Sequence, residues 1–356
     1  MPLFPVTPYD REVYENELRD FLPQQIIDIH SHTYLKAFKG PEVADKRVVT
    51  WPSLVAEDNS IEDHQETYRL MFPGKDVSAL MFASVNRNDD IRAANAYVSR
   101  VSAQSGWPAL YFAVPTQSAE ELEREILSGG FVGIKGYLEM APTYIPEAEI
   151  RIFDFFPKHQ LQVLDKLGGI VMLHIPRNGR LKDPVNIAQI LELKQAFPRL
   201  RLILAHIGRA YTKNDVGDAF ERLAPCTDFV FDFSANTCQY AMERMLEAVG
   251  PQRALFGSDM PICRMRMRRI EENGTYINLI PPGLYGDPSQ DAHLREATAA
   301  EGERLTFFMY EEVRAFRRAA LSQGLTPNDV KDVFYGNARR LIDGARSDIA
   351  RAVGNG

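Results

Sequence analysis

Cysteine is scarce in this sequence: Cys226, Cys238 and Cys263 are an odd number among 356 residues, which fits a reducing compartment better than a disulfide framework. Basic residues are outnumbered as well. A formal net charge of -7 and a pI near 5.6 leave no general basic face, which argues against nucleic acid or an anionic membrane as a partner. No apolar run reaches membrane-spanning length, and MPLFPVTPYDREVYENEL has neither a basic leader nor an apolar core. The expectation is a cytoplasmic protein acting on a small-molecule substrate, with a homo-oligomer left open. A Gly-rich GxGxxG turn after a strand is also missing, which removes the usual sign of a dinucleotide-binding open sheet. With 45% hydrophobic residues the chain can still bury a large core, and one domain over residues 1–356 is the reading this length suggests.

What is present begins at residues 25–35, QIIDIHSHTYL. Residues two apart in a strand point to one face, so His30 and His32 project together, with Asp28 on the same side. A lone histidine in an apolar strand is usually a satisfied core residue. Two of them beside a carboxylate are costly to bury unless something pairs them, and a divalent metal is the economical partner.

After His32, residues 36–75 mix charges with Trp51, Tyr68, Met71 and Phe72 and read as an insertion; His64, in IEDHQETY, reads as a solvated helix residue. From residue 76 apolar runs alternate with amphipathic segments. Strands are expected at 76–84, 107–115, 131–139, 168–176, 199–208, 228–236 and 253–261, separated by helices. The helix at 118–128 carries a capping pair, Ser118 and Glu121. With 25–32 as the first strand, eight βα units close most naturally into an α/β (β/α)8 TIM barrel, with helices after residue 300 added at the C-terminus. His30, His32, His174, His206 and Asp259 all fall at C-terminal strand ends, where such a barrel gathers its active site. Imidazole and carboxylate donors suit one divalent metal, Zn2+ first, with Mn2+, Fe2+ or Co2+ as alternatives.

DIHSH, GIKGY, VMLHIPR, LAHIG, GSDMP and FYGNARRLI, in that order over most of residues 25–343, resemble the amidohydrolase superfamily and within it the amidohydrolase 2 branch. The resemblance implies that His30, His32, His174 and Asp259 bind the metal, that Asp259 moves the proton, and that His206 is the assisting base or electrophile. Some members hold two metals bridged by a lysine. A binuclear site would add Lys135 and His206, with Glu139 as a second bridging candidate, but one metal is usual in this branch.

Arg177 and Arg209 each follow a motif histidine and are expected to clamp a carboxylate, with Tyr137 beside them. The run holding Arg264, Arg266, Arg268 and Arg269 cannot face one pocket throughout, and most of it reads as solvated. Residues 271–300 are too long for an ordinary connection and read as a lid, with Tyr276 and Tyr285 over the substrate and His293 exposed. The functional reading is a metal-dependent hydrolase that activates water to cleave an amide or lactone of a small carboxylic acid. The alternative is a non-oxidative decarboxylase of an aromatic or unsaturated acid, since the resembling branch contains both. A non-catalytic metal-stabilised binding protein ranks third.

Overall fold

The computed structural model describes residues 2–41 and 55–354. Residues 42–54 of the expected insertion, with Trp51, lie outside the described residues. Eight parallel strands follow in chain order: β1 (Gln25–His32), β2 (Asp76–Phe82), β3 (Tyr111–Phe112), β4 (Gly133–Lys135), β5 (Ile170–Leu173), β6 (Arg201–Leu204), β7 (Phe229–Asp232) and β8 (Ala254–Leu255). Strand β1 pairs with β2, and β3 to β8 pair each with the next. Two seams join these groups. Leu110 N–H donates to Met81 O at 2.8 Å between β2 and β3, while Ile29 N–H donates to Phe256 O at 3.0 Å and Asp259 N–H to His30 O at 2.8 Å between β1 and the end of β8. The ring of strands is thereby closed as a (β/α)8 barrel, and helices lie between successive strands from β2 onward.

Short-range signals account for the outer helices. Ser118 accepts the N–H of Glu121 at 3.1 Å at the head of Ala119–Gly129, and Gly130, at φ 69°, ends that helix in the left-handed region. Leu122 and Ile126 are its buried stripe. The barrel interior is filled by Ile27, Ile29, Leu80, Phe82, Met172 and Ile203, among others. The C-terminal helix Asn337–Gly354 packs Ala338, Ile342 and Ala345, one helical face, against that interior. The opposite end of the barrel is left for polar side chains.

Three local readings are corrected. His64 is fully buried, because the helix Ile61–Met71 turns His64, Thr67, Tyr68 and Met71 inward together. The expected lid is a rim sheet: β9 (Arg268–Glu272) and β10 (Thr275–Ile280) form an antiparallel hairpin, and β11 (Leu294–Glu296) adds to β10 in parallel. Asn273 and Gly274 both have positive φ at the hairpin turn, which is the pair such a turn selects. The helix expected over 301–322 is divided into Ala299–Gly302 and Phe308–Ser322.

Strand β8 ends at Leu255, short of the expected 261, because the next residues turn into the barrel mouth. At Gly257 an added Cβ would lie 2.8 Å from His30 Cβ and 3.2 Å from Ser234 Cβ. Gly257→Ala is therefore expected to destabilise the fold by about 1–3 kcal/mol through overpacking against His30. Urea denaturation checks this; an unchanged midpoint would show that β1 yields without strain.

Candidate metal centre

Strand β1 places its two histidines toward the mouth of the barrel. His32 Nε2 lies 3.1 Å and His30 Nε2 3.4 Å from Asp259 Oδ1. Asp259 itself sits at φ 56°, a left-handed conformation that costs a non-glycine residue on the order of 1 kcal/mol, and its N–H is tied to His30 O. The bond to His30 O holds residue 259 in this conformation, which sets the carboxylate against both imidazoles. Burial alone would raise the Asp259 pKa, but the facing histidines, His206 first, lower it by more, so on raising the pH the Asp259 carboxyl gives up its proton before His206 does.

Tautomers follow from the partners. His30 Nδ1 lies 2.9 Å from Asp232 Oδ2, and a carboxylate only accepts, so Nδ1 carries the proton and Nε2 presents its lone pair. His206 Nδ1 lies 2.9 Å from Ser234 O, which likewise leaves Nε2 bare. Burial lowers the pKa of His30, His32, His174 and His206, the last to about 4, so all four are neutral at pH 7. Neutral imidazoles, an ionised carboxylate and the buried, unbonded Nδ1 of His174 fit a divalent ion. Among the described residues, two donor groups are close enough to share one: His30, His32 and Asp259, and His30, His206 and Asp232. His174 falls outside both, with its ring 5.3 Å from His206 and 4.8 Å from Tyr137.

Asp232 escaped the sequence reading. It ends β7, is fully buried, and accepts from His206 N–H at 2.8 Å, Ser234 N–H at 3.1 Å and Ser234 Oγ at 2.5 Å besides His30. Its position in FVFDF, a carboxylate closing an apolar run, is the same signal that marked His174 and His206. Asp28, expected to share the metal face, turns away. The register of β1 shifts between Asp28 and Ser31, and Asp28 accepts from Tyr68 Oη at 2.6 Å, from Ser258 N–H at 2.8 Å and from the Ser258 hydroxyl. Burial nevertheless pushes it up to about 6. Behind β1, His64 bonds Ser31 Oγ at 3.0 Å and Thr33 Oγ1 at 3.1 Å, which braces the strand that carries the histidines.

A cavity of about 400 Å³ opens over this floor, lined by Lys135, Tyr137, Arg209, Tyr211, Tyr276 and His293 as well as the motif residues. Lys135 is buried, its Nζ 5.3 Å from the Phe82 ring centre, and burial lowers its pKa to about 8. Arg209 closes a run of left-handed residues from His206 (φ 59°) to Arg209 (φ 60°), and its Nη1 donates to the carbonyls of Ile175 and Pro176. Arg177 is corrected: it does not line the cavity but lies 3.2 Å from Asp183, the residue that caps the next helix. His293, expected to be solvated, lines the cavity with its ring stacked on Tyr276 at 4.2 Å. Tyr285 instead accepts the Arg266 N–H at 2.8 Å and is not part of the lining.

Beneath the floor, Glu312 is fully buried, with Cys263 Sγ 3.6 Å from Oε2 and Oε1 unbonded. Burial, reinforced by Asp28, raises its pKa well above the usual carboxyl range. The sign follows: a folded pKa above the unfolded one gives a contribution that is full below the unfolded value and is lost as pH rises through the folded value. Glu312→Gln removes that dependence, so its thermal midpoint relative to the parent should rise between pH 5 and pH 9. A constant difference would mean that Glu312 is ionised in the folded protein over that range, as it is in the unfolded chain.

A closed parallel barrel with neutral imidazoles and an ionised carboxylate at its C-terminal mouth defines a metal-dependent barrel enzyme. The family model Amidohydro_2, amidohydrolase, matches residues 27–276, and the chain belongs to that family of metal-dependent enzymes. Among solved structures, an amidohydrolase from Burkholderia multivorans with bound zinc is 15% identical and superposes with a TM-score of 0.53, covering 90% of this chain and 99% of that one. A putative 2-pyrone-4,6-dicarboxylic acid hydrolase from Pseudomonas putida is 15% identical, with a TM-score of 0.52 and coverage of 91% and 99%. A 2,6-dihydroxybenzoate decarboxylase from Rhizobium is 16% identical, with a TM-score of 0.51 and coverage of 90% and 99%. These likenesses establish a shared fold. No curated protein sequence matches the chain. No helix among the described residues is long and apolar enough to cross a membrane.

Proposed function

We propose that the protein is a metal-dependent hydrolase that cleaves an amide or lactone bond in a small carboxylate-bearing substrate. The observation that carries this reading is the ionised Asp259 carboxylate facing the bare Nε2 of His30 on the floor of the cavity. His30, His32 and Asp259 would hold one divalent ion, Zn2+ first, with His174 as the added ligand taken from the family resemblance. Such an ion supplies Lewis acidity and acidifies water. Asp259 takes the proton of the attacking water and returns it to the leaving group. His206, with its proton fixed on Nδ1, accepts a hydrogen bond at Nε2 and so orients that water rather than donating to the carbonyl. The donors available to the carbonyl oxygen are Lys135, still cationic at pH 7, and the Tyr137 hydroxyl, kept protonated by burial. Arg209, whose Nη1 alone is engaged by the backbone, takes a substrate carboxylate.

The test is product analysis of metal-loaded protein on a panel of lactones, amides and aromatic acids. Release of a carboxylic acid without CO2 is the expected result. Evolution of CO2 from an aromatic acid would replace this reading with a decarboxylase, in which the same groups deliver the proton to carbon.

A further inference from the structure

Among the described residues of the cavity wall, Arg269 is a cation to which the proposed catalysis gives no role. Arg269 reaches the cavity from the rim sheet, although its neighbours in the arginine run are directed elsewhere: Arg266 pairs with Asp10 at 2.5 Å and Arg264 bonds Asn59. Its own contacts are with neutral acceptors, Nε to Asn278 Oδ1 at 2.8 Å and Nη1 to Ala235 O at 2.8 Å. The guanidinium stands 4.5 Å from the Tyr276 ring centre and 4.8 Å from those of Tyr211 and Phe308. Among the described residues, the titratable groups that act on it most strongly are Tyr276, Tyr211, Cys263 and a second cation, Arg180. Arg180, on the same two rings, is by contrast neutralised by Asp215 at 2.8 Å.

A cation packed among rings beside a cavity, whose hydrogen bonds to the described residues are all made to neutral acceptors, is an expensive arrangement unless an anion arrives there. The surroundings also limit the shape of that anion. Tyr276 stacks parallel to His293 within 10° and meets Tyr211 edge-on at 5.3 Å, which lines this side of the cavity with aromatic rings. Asp291 lines the same wall, with Oδ1 accepting the His293 N–H at 2.8 Å within its own loop. Tyr211 has Arg269 against its ring, and its hydroxyl also feels Arg209, so the two cations approach one residue.

We propose that Arg269, with Tyr211 and Tyr276, forms a second anion subsite, so that the preferred ligand is a planar acid with two carboxylates, one for Arg209 and one for Arg269. A planar carboxylate matches the guanidinium fork, and a conjugated ring matches the wall. This rests on the cavity being the substrate site, but not on which bond is broken.

Calorimetric binding to the metal-loaded protein, with benzoate, isophthalate and terephthalate as probes, tests it. At least one of the two diacids should bind about tenfold or more tightly than benzoate, as expected for one added charge-assisted contact. Arg269→Gln should remove that advantage, costing the diacids more than benzoate, whereas Arg269→Lys should retain part of it. Equal affinity of parent and Arg269→Gln for every diacid, or failure of both diacids to bind the parent more tightly than benzoate, would overturn the subsite. So would an equal loss for mono- and diacids, which would mean that Arg269 only holds the rim sheet. If the hydrolase reading fails by CO2 release, the binding difference remains to be observed, so the two failures are separate.

Discussion

Asp259→Asn is expected to lower turnover by about 100- to 10,000-fold, the range for removing a positioned general base, and to lower metal content as well. The side chain keeps its size but loses its charge and its ability to accept a proton. Asparagine is the appropriate replacement because residue 259 sits at φ 56°, where Asn and Asp are the non-glycine residues best tolerated. The fold should therefore survive, and the His30 carbonyl should keep the N–H of residue 259. Metal content by elemental analysis and turnover on the substrate found by product analysis are the two measurements. A variant with a full metal complement and parental turnover would show that Asp259 neither holds the ion nor moves the proton.

The barrel and much of its mouth were legible in the sequence for one reason. His174 and His206 each close an apolar run, and in a parallel barrel the end of such a run is the end of a strand, while Asp259 stands just beyond β8 in the turn at the mouth. The reading stopped short where direction depends on tertiary contacts. Arg177 and Arg209 follow their histidines at the same interval, yet Asp183 draws Arg177 aside, while the left-handed turn after β6 sends Arg209 to the cavity. His64 was misjudged because its neighbours in sequence are charged. The spacing of His64, Thr67, Tyr68 and Met71 already describes one buried helical face, and that periodicity outweighs local composition. The length of residues 271–300 suggests a lid, whereas the turn within them specifies a rim sheet. Asn273-Gly274, between residues that alternate in burial along β10, is a hairpin signal. Arg269 owes its place in the cavity wall to that hairpin, so missing the turn also hid the cation.

Asp232→Asn should weaken metal binding by about 10- to 100-fold although it replaces no residue of the His30, His32 and Asp259 group. Four donors converge on this carboxylate: His30 Nδ1–H, the N–H groups of His206 and Ser234, and the Ser234 hydroxyl. An asparagine side chain accepts through its oxygen only, so an amide NH2 must replace one carboxylate oxygen. If the NH2 takes the Oδ2 position, it favours a bare Nδ1 on His30, which moves the imidazole proton to Nε2 and blocks the lone pair that faces Asp259. If it takes the Oδ1 position, the N–H groups of His206 and Ser234 lose their acceptor, at a cost of about 1–3 kcal/mol for an unsatisfied buried group. Either orientation damages the centre, but they are separable. Chelator-competition titration reads the first and urea unfolding of the metal-free protein reads the second. A variant that loses stability while keeping parental metal affinity would reduce Asp232 to a brace between β6 and β7, and would remove it from the set of residues that orient the ligands.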